Sequence, residues 1–118
     1  MDNVIVLFEV KPTKEGMQKY LDLAAELKNI LSGFEGFVRA ERFTSLNEDG
    51  KLLSMNIWTN ESAVECWRNT LQHRMSQIEG RKKLFESYKV TVCVPIREYS
   101  DTERVQAPAD SNEYFSVC

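Results

Sequence analysis

The sequence predicts an α+β domain with its elements in the order β-α-β-β-α-β, a four-stranded antiparallel sheet with both helices on one face. Three observations carry that expectation. A β-branched and aromatic run, VIVLFEV, spans residues 4–10. Two stretches of helical period cover about 17–31 and 61–86. Two strand-like runs, 37–46 and 51–59, flank the turn residues Asn47-Glu48-Asp49-Gly50. A chain of 118 residues suits one domain with one core.

Residues 4–10 place apolar side chains on both alternating faces, the pattern of a central strand covered on two sides. Pro12 and Thr13 are expected to open the first helix, in which Met17, Tyr20, Leu21, Ala24, Leu27, Ile30 and Leu31 form one apolar face before Ser32-Gly33 stops it. Gly36 marks a turn into FVRAERFTSL, a strand with one wet side, and KLLSMNIWT returns as its hairpin partner. On that partner Leu53, Met55 and Ile57 share one face, while Leu52, Ser54, Asn56 and Trp58 share the other. Asn60-Glu61-Ser62 reads as a helix start, with Asn60 or Thr59 accepting a bond from a first-turn amide, and not as a glycan acceptor.

In the second helical stretch Gly80 marks a joint. Residues 88–97 follow as the last strand, with Tyr88, Val90, Val92, Val94 and Ile96 on one face and Pro95 assigning its end to an edge or bulge. Residues 1–99 thus make the domain and 100–118 an extended tail, whose Tyr114 and Phe115 are available to dock on another surface.

This order is the split-βαβ, or ferredoxin-like, arrangement, in which the helices leave one sheet face bare. Both faces are apolar here, so the economical arrangement is a homodimer closed sheet to sheet about a twofold axis.

Composition removes several function classes. Net charge is −3 and the pI about 5.2, with acids and bases interleaved, so nucleic acid is not an expected partner. The five-residue apolar run after the acidic start is too short for a membrane span and lacks a signal peptide's basic flank, which points to the cytoplasm. Cys66, Cys93 and Cys118 are far apart with no C-x-x-C pair, so neither a disulfide framework nor a metal site is expected. There is no second histidine, G-x-S-x-G, Walker loop or GxGxxG, which sets aside hydrolase, kinase and nucleotide-dependent dehydrogenase chemistry.

The run W-T-N-E-S-A at 58–63, then Trp67, His73, Gly80-Arg81 and a final R-E-Y at 97–99 resembles the antibiotic biosynthesis monooxygenase family, over roughly residues 2–99. The resemblance implies a dimeric α+β barrel with a ligand cleft between sheet and helices in each subunit. It also implies one of several chemistries: oxidation of polycyclic aromatics without metal or flavin, haem degradation, or handling of small quinols and aldehydes. Haem degraders in the family carry a helix histidine farther from the tryptophan and an asparagine on the first strand. This chain has Gln77 near the first of those positions and Phe8 and Glu9 at the second, so haem is disfavoured and no cofactor is expected.

The expected site follows from both readings. His73, the only histidine, is a candidate proton acceptor or donor to a substrate oxygen, with a surface or capping histidine as the alternative. It lies about 120° from Trp67 on an unbroken helix, so a shared cleft requires a break at Arg68-Asn69-Thr70. Trp67 and Trp58 are flat walls for an aromatic ligand or ordinary core residues. Asn56 can orient a carbonyl or dioxygen or bond a neighbouring strand. Arg74, Gln77, Arg81 and Tyr88 complete the candidate ligand-binding set. The function expected is a cofactor-independent monooxygenase acting on a hydrophobic aromatic or quinol. The alternative is a non-catalytic dimeric binding or stress-response domain.

Overall fold

A computed structural model of the protein describes residues 3–78 and 80–116. The elements run β1 (Val4–Pro12), α1 (Met17–Leu31), β2 (Phe37–Thr44), β3 (Leu52–Trp58), α2 (Glu61–Ser76), a 3₁₀ turn (Arg81–Lys83), β4 (Phe85–Cys93) and α3 (Ala109–Ser116). The strands form one sheet in the order β2-β3-β1-β4, antiparallel throughout. This is the ferredoxin-like α+β fold that the sequence predicts.

β1 runs two residues beyond its expected end because Pro12 pairs with Phe85 across an irregularity at Lys11/Pro12. A proline tolerates that position because a bulge asks no ladder hydrogen bond of it. Helix α1 accordingly begins at Met17 and not at Pro12. The intervening turn is stapled to the far end of the domain. Thr13 donates its amide to the Leu84 carbonyl at 2.9 Å and its hydroxyl to the Lys83 carbonyl at 2.6 Å, and the hydroxyl accepts from the Gly16 amide at 2.8 Å. A side chain at Gly16 would run into the Leu84 backbone, so the close approach needs glycine.

The second helical stretch is shorter than expected. α2 ends at Ser76, Gly80 takes φ +75°, and β4 starts at Phe85 instead of residue 88, ending at Cys93 before Pro95. The expected break at 68–70 is absent. Thr70 bonds back to the Cys66 carbonyl at 3.0 Å, which satisfies its hydroxyl inside a continuous helix. The helix start is as expected: Asn60 accepts from the Ala63 amide at 2.8 Å.

The core lies between α1, α2 and one face of the sheet. Leu23, Leu27 and Leu31 from α1 and Ala63 and Trp67 from α2 surround Trp58, which is 0% exposed. Each such aliphatic side chain contributes about 1.5–3 kcal/mol on burial. Gly36, at φ +85°, carries the turn between Phe34 and Phe37 over the first turn of α2, where an added Cβ would meet the Ala63 Cβ at 2.5 Å.

Neither α1 nor α2 covers the other sheet face, where Ile5, Leu7, Leu53 and Met55 are half-buried and Phe43 is exposed. Beyond β4 the chain leaves the body, and the described molecule measures 56 × 34 × 20 Å. The segment expected as an extended tail carries α3. Arg104 donates to the Ser100 carbonyl, the Ser111 hydroxyl and the Asn112 side chain, lies over the Tyr99 ring, and so joins the loop to α3. The side chains of Tyr114 and Phe115, expected to dock elsewhere, lie outside the described residues, as does Cys118.

Candidate functional site

Strand register sorts the helix-facing side of the sheet into cross-strand rows. Phe37, Trp58 and Val4 form the first, then Ala40, Asn56, Val6 and Val92, then Arg42, Ser54, Phe8 and Val90, then Thr44, Leu52, Val10 and Tyr88. Residues directly opposite in an antiparallel pair share a face, so these four rows are the floor beneath the helices. Most of the floor is apolar. The polar exceptions cluster on β3 and β2: Asn56, Ser54 and Arg42, with Thr44 at the edge.

Above the first row the two tryptophans meet, ring centroids 6.0 Å apart, and Phe34 and Phe37 pack edge-on against them at 5.4–5.8 Å. The indole Nε1 of Trp58 is buried and has no hydrogen-bond partner among the described residues. A buried donor left unpaired costs about 1–3 kcal/mol, so it is either a strain the core tolerates or a group that a ligand oxygen or water completes.

The expected site residues divide between core and surface. Trp58 and Trp67 are buried together. Asn56 is half-buried on the same floor and donates one amide N–H to the Ser54 hydroxyl at 3.4 Å, a long bond that leaves its second N–H and its carbonyl oxygen available. His73 is exposed, off the α2 stripe that carries Ala63, Trp67, Leu71 and Met75, and its imidazole makes no hydrogen bond to another described residue. The continuous helix therefore keeps His73 apart from Trp67. Arg74 reaches Glu26 at 2.7 Å and ties α2 to α1. Gln77 caps α2 with its backbone, donating to Arg74 and Met75 carbonyls. Arg81 opens the 3₁₀ turn, and its side chain lies outside the described residues. Tyr88 is 65% exposed on β4, within 6.0 Å of the Phe85 ring and 5.8 Å of the Phe8 ring.

A second aromatic group escaped the reading of the sequence. Phe8, Tyr20, Phe85 and Tyr88 stand with ring centroids 5.7–6.5 Å apart at the opposite end of the floor from the tryptophans. Arg42 lies over the Tyr20 ring at 5.6 Å. Phe8 was visible only as a strand residue and Tyr20 only as part of a helical stripe. Their shared row, and Arg42 with them, needed the register.

Two concavities open nearby. One of about 380 Å³ is lined by Lys82, Phe85, Glu86, Ser87 and Tyr88. Another, about 360 Å³, lies against the uncovered sheet face and includes Leu7, Glu9, Phe43 and Leu53. Neither is lined by His73 or a tryptophan. Among the described residues no group of three or more His, Cys, Asp or Glu is placed to hold a metal ion, and no helix is long and apolar enough to cross a membrane. Phe8 and Gln77, at the positions that bear on haem, are engaged in the aromatic group and the helix cap.

Residues 3–77 match the family described as antibiotic biosynthesis monooxygenase. The chain is 34% identical over 107 residues to the jasmonate monooxygenase ABM of Pyricularia oryzae, covering 86% of this chain and 50% of that protein. It is 28% identical over 75 residues to the uncharacterised YqjZ protein of Bacillus subtilis, covering 63% of each. The chain thus spans between half and two-thirds of the length of these relatives. Among solved structures, SnoaB from Streptomyces nogalater, a cofactor-independent oxygenase, superposes with TM-score 0.68 at 13% identity, over 86% of this chain and all of that one. At that identity the likeness concerns the fold.

Proposed function

Because the chain belongs to the antibiotic biosynthesis monooxygenase family, we propose that it is a cofactor-independent monooxygenase acting on a hydrophobic aromatic or quinol-type small molecule between sheet and helices. The observation that carries this is the buried, unpartnered indole N–H of Trp58, on the same strand face as Asn56. A donor fixed in an apolar, water-poor setting suits the stabilisation of charge on a substrate or dioxygen-derived oxygen. SnoaB, with the same fold, is a cofactor-independent oxygenase, and the Pyricularia relative is a jasmonate monooxygenase. Both support the reaction class.

In this scheme the substrate supplies its own electrons. A methylene beside a conjugated carbonyl loses a proton to His73 or water, the carbanion adds dioxygen and regains a proton to form a hydroperoxide, and loss of water leaves a new carbonyl. One oxygen atom enters the product and the other leaves as water. Asn56 and Trp58 hold the oxyanion, Trp67 backs Trp58 as the inner wall, and Tyr88 forms the outer wall. His73 has the role open to an exposed imidazole, exchanging the proton with solvent. Arg74, Gln77 and Arg81 shape the helix end of the cleft, Arg74 through Glu26.

The proposal includes a homodimer closed through the uncovered sheet faces, residues 1–99 as the catalytic domain with 100–118 appended, and a cytoplasmic location. A non-catalytic binding domain is the second reading, favoured by the close packing of the two tryptophans. Oxygen uptake with a panel of anthrones and quinols separates the two. Asn56→Leu is expected to lower the rate at least about tenfold. Uptake no faster than the protein-free control with every substrate would leave only the binding reading, and equal rates in wild type and His73→Ala would remove His73 from the mechanism.

A further inference from the structure

Resting on the placement of the ligand between sheet and helices, we propose that Arg42 selects ligands that carry a carboxylate on an apolar ring system. Across the four rows of the floor, from Thr44 to Val4, Arg42 is the only charged side chain. On the opposite face Glu9 pairs with Lys51 at 3.6 Å and Arg39 with Glu41 at 3.5 Å. Arg42 itself has no acidic partner among the described residues. Its one described contact is the Tyr20 ring.

With its Cζ over a ring, the guanidinium keeps its charge and donates no hydrogen bond to another described residue, so its N–H groups are open to a ligand. Those donors match a carboxylate in a two-pronged arrangement. Ser54 lies directly opposite Arg42 and can add a hydroxyl donor. Along β3 the positions run Ser54, Asn56, Trp58, so the unpartnered indole N–H is two rows farther in, about 13 Å along the strand. A ligand with a carboxylate at Arg42 and Ser54 and a carbonyl toward Asn56 and Trp58 would meet the cation at one end of the floor and the buried N–H at the other. The one row between is lined by Ala40, Asn56, Val6 and Val92, while Phe8 shares the row of Arg42. A single unpaired cation at one end of an aromatic floor discriminates by charge, which neither tryptophan nor Asn56 can do.

The test compares anthraquinone-2-carboxylate with its uncharged counterpart anthraquinone-2-carboxamide, titrated calorimetrically into wild type, Arg42→Gln and Arg42→Lys. Wild type is expected to bind the carboxylate about tenfold more tightly, a factor that shrinks with added salt because Arg42 is exposed. Arg42→Gln should lose that preference by weakening the carboxylate alone, and Arg42→Lys should keep part of it. Equal wild-type affinities, or a preference that survives in Arg42→Gln, overturns the inference and leaves the ligand site standing. Binding of neither compound overturns the site between sheet and helices, and this inference with it. The wild-type comparison needs no variant to fold.

Discussion

Trp58 concentrates the residue-scale question, because a side chain that is 0% exposed holds a donor without a partner among the described residues. Replacing the indole by a phenyl ring removes that unpaired N–H, worth about 1–3 kcal/mol, and loses some packing of similar size. Trp58→Phe is therefore expected to change the unfolding free energy by less than about 1.5 kcal/mol, while Trp58→Ala costs about 3–5 kcal/mol. Urea denaturation checks both. A loss above about 3 kcal/mol in Trp58→Phe would mean the N–H is satisfied in the native protein by buried water. The tryptophans could be seen in the sequence as wall or core. Burial together packs the two rings against each other and leaves the nitrogen of Trp58 without a partner among the described residues. His73 shows the opposite case, since a lone imidazole looks functional in a sequence, and the angle between it and Trp67 decides where it goes.

At the scale of elements, α2 is a continuous helix because Asn60 starts it and Thr70 bonds back along it. Asn60→Ala removes the cap and is expected to cost about 1 kcal/mol, read as a lower denaturation midpoint with unchanged slope. Gly36→Ala should cost more, about 2 kcal/mol or above. It combines a positive φ with a clash against Ala63, and these add to one another. A Gly36→Ala protein as stable as wild type would show that the turn can move off α2. Element kinds and order were legible from hydrophobic period and turn residues. The ends were not: β4 begins three residues early because Phe85 pairs with Pro12, and no local signal at Phe85 announces a partner seventy residues away.

For the whole molecule, the uncovered sheet face sets the expectation. Ile5, Leu7, Leu53 and Met55 are only half-buried in the single chain, and a second copy meeting them face to face would remove them from water. Sedimentation of the wild-type chain is expected to give twice the monomer mass. Met55→Glu, which puts an unpaired charge at the centre of that face opposite Leu7, should give the monomer. A wild-type monomer would refute the dimer. The segment after β4 extends away with Ile96 91% and Val105 94% exposed, yet is ordered by Arg104. Its polar composition concealed that order, because the Arg104 bonds bridge residues seven and eight apart and leave no periodic trace.

The alternation of strands, the apolar stripe of α1 and the turn residues at 47–50 by themselves determine the element order, the antiparallel ferredoxin-like sheet and its two apolar faces. These are local consequences of side-chain period and backbone preference, and so can be read from neighbouring letters. Tertiary structure alone decided that Arg42 shares a floor with Ser54 and Phe8, that its Cζ lies over the Tyr20 ring, and that the Trp58 N–H has no acceptor among the described residues. Those facts depend on which residues of distant strands stand opposite one another, a matter of register and helix packing that no single stretch of chain contains.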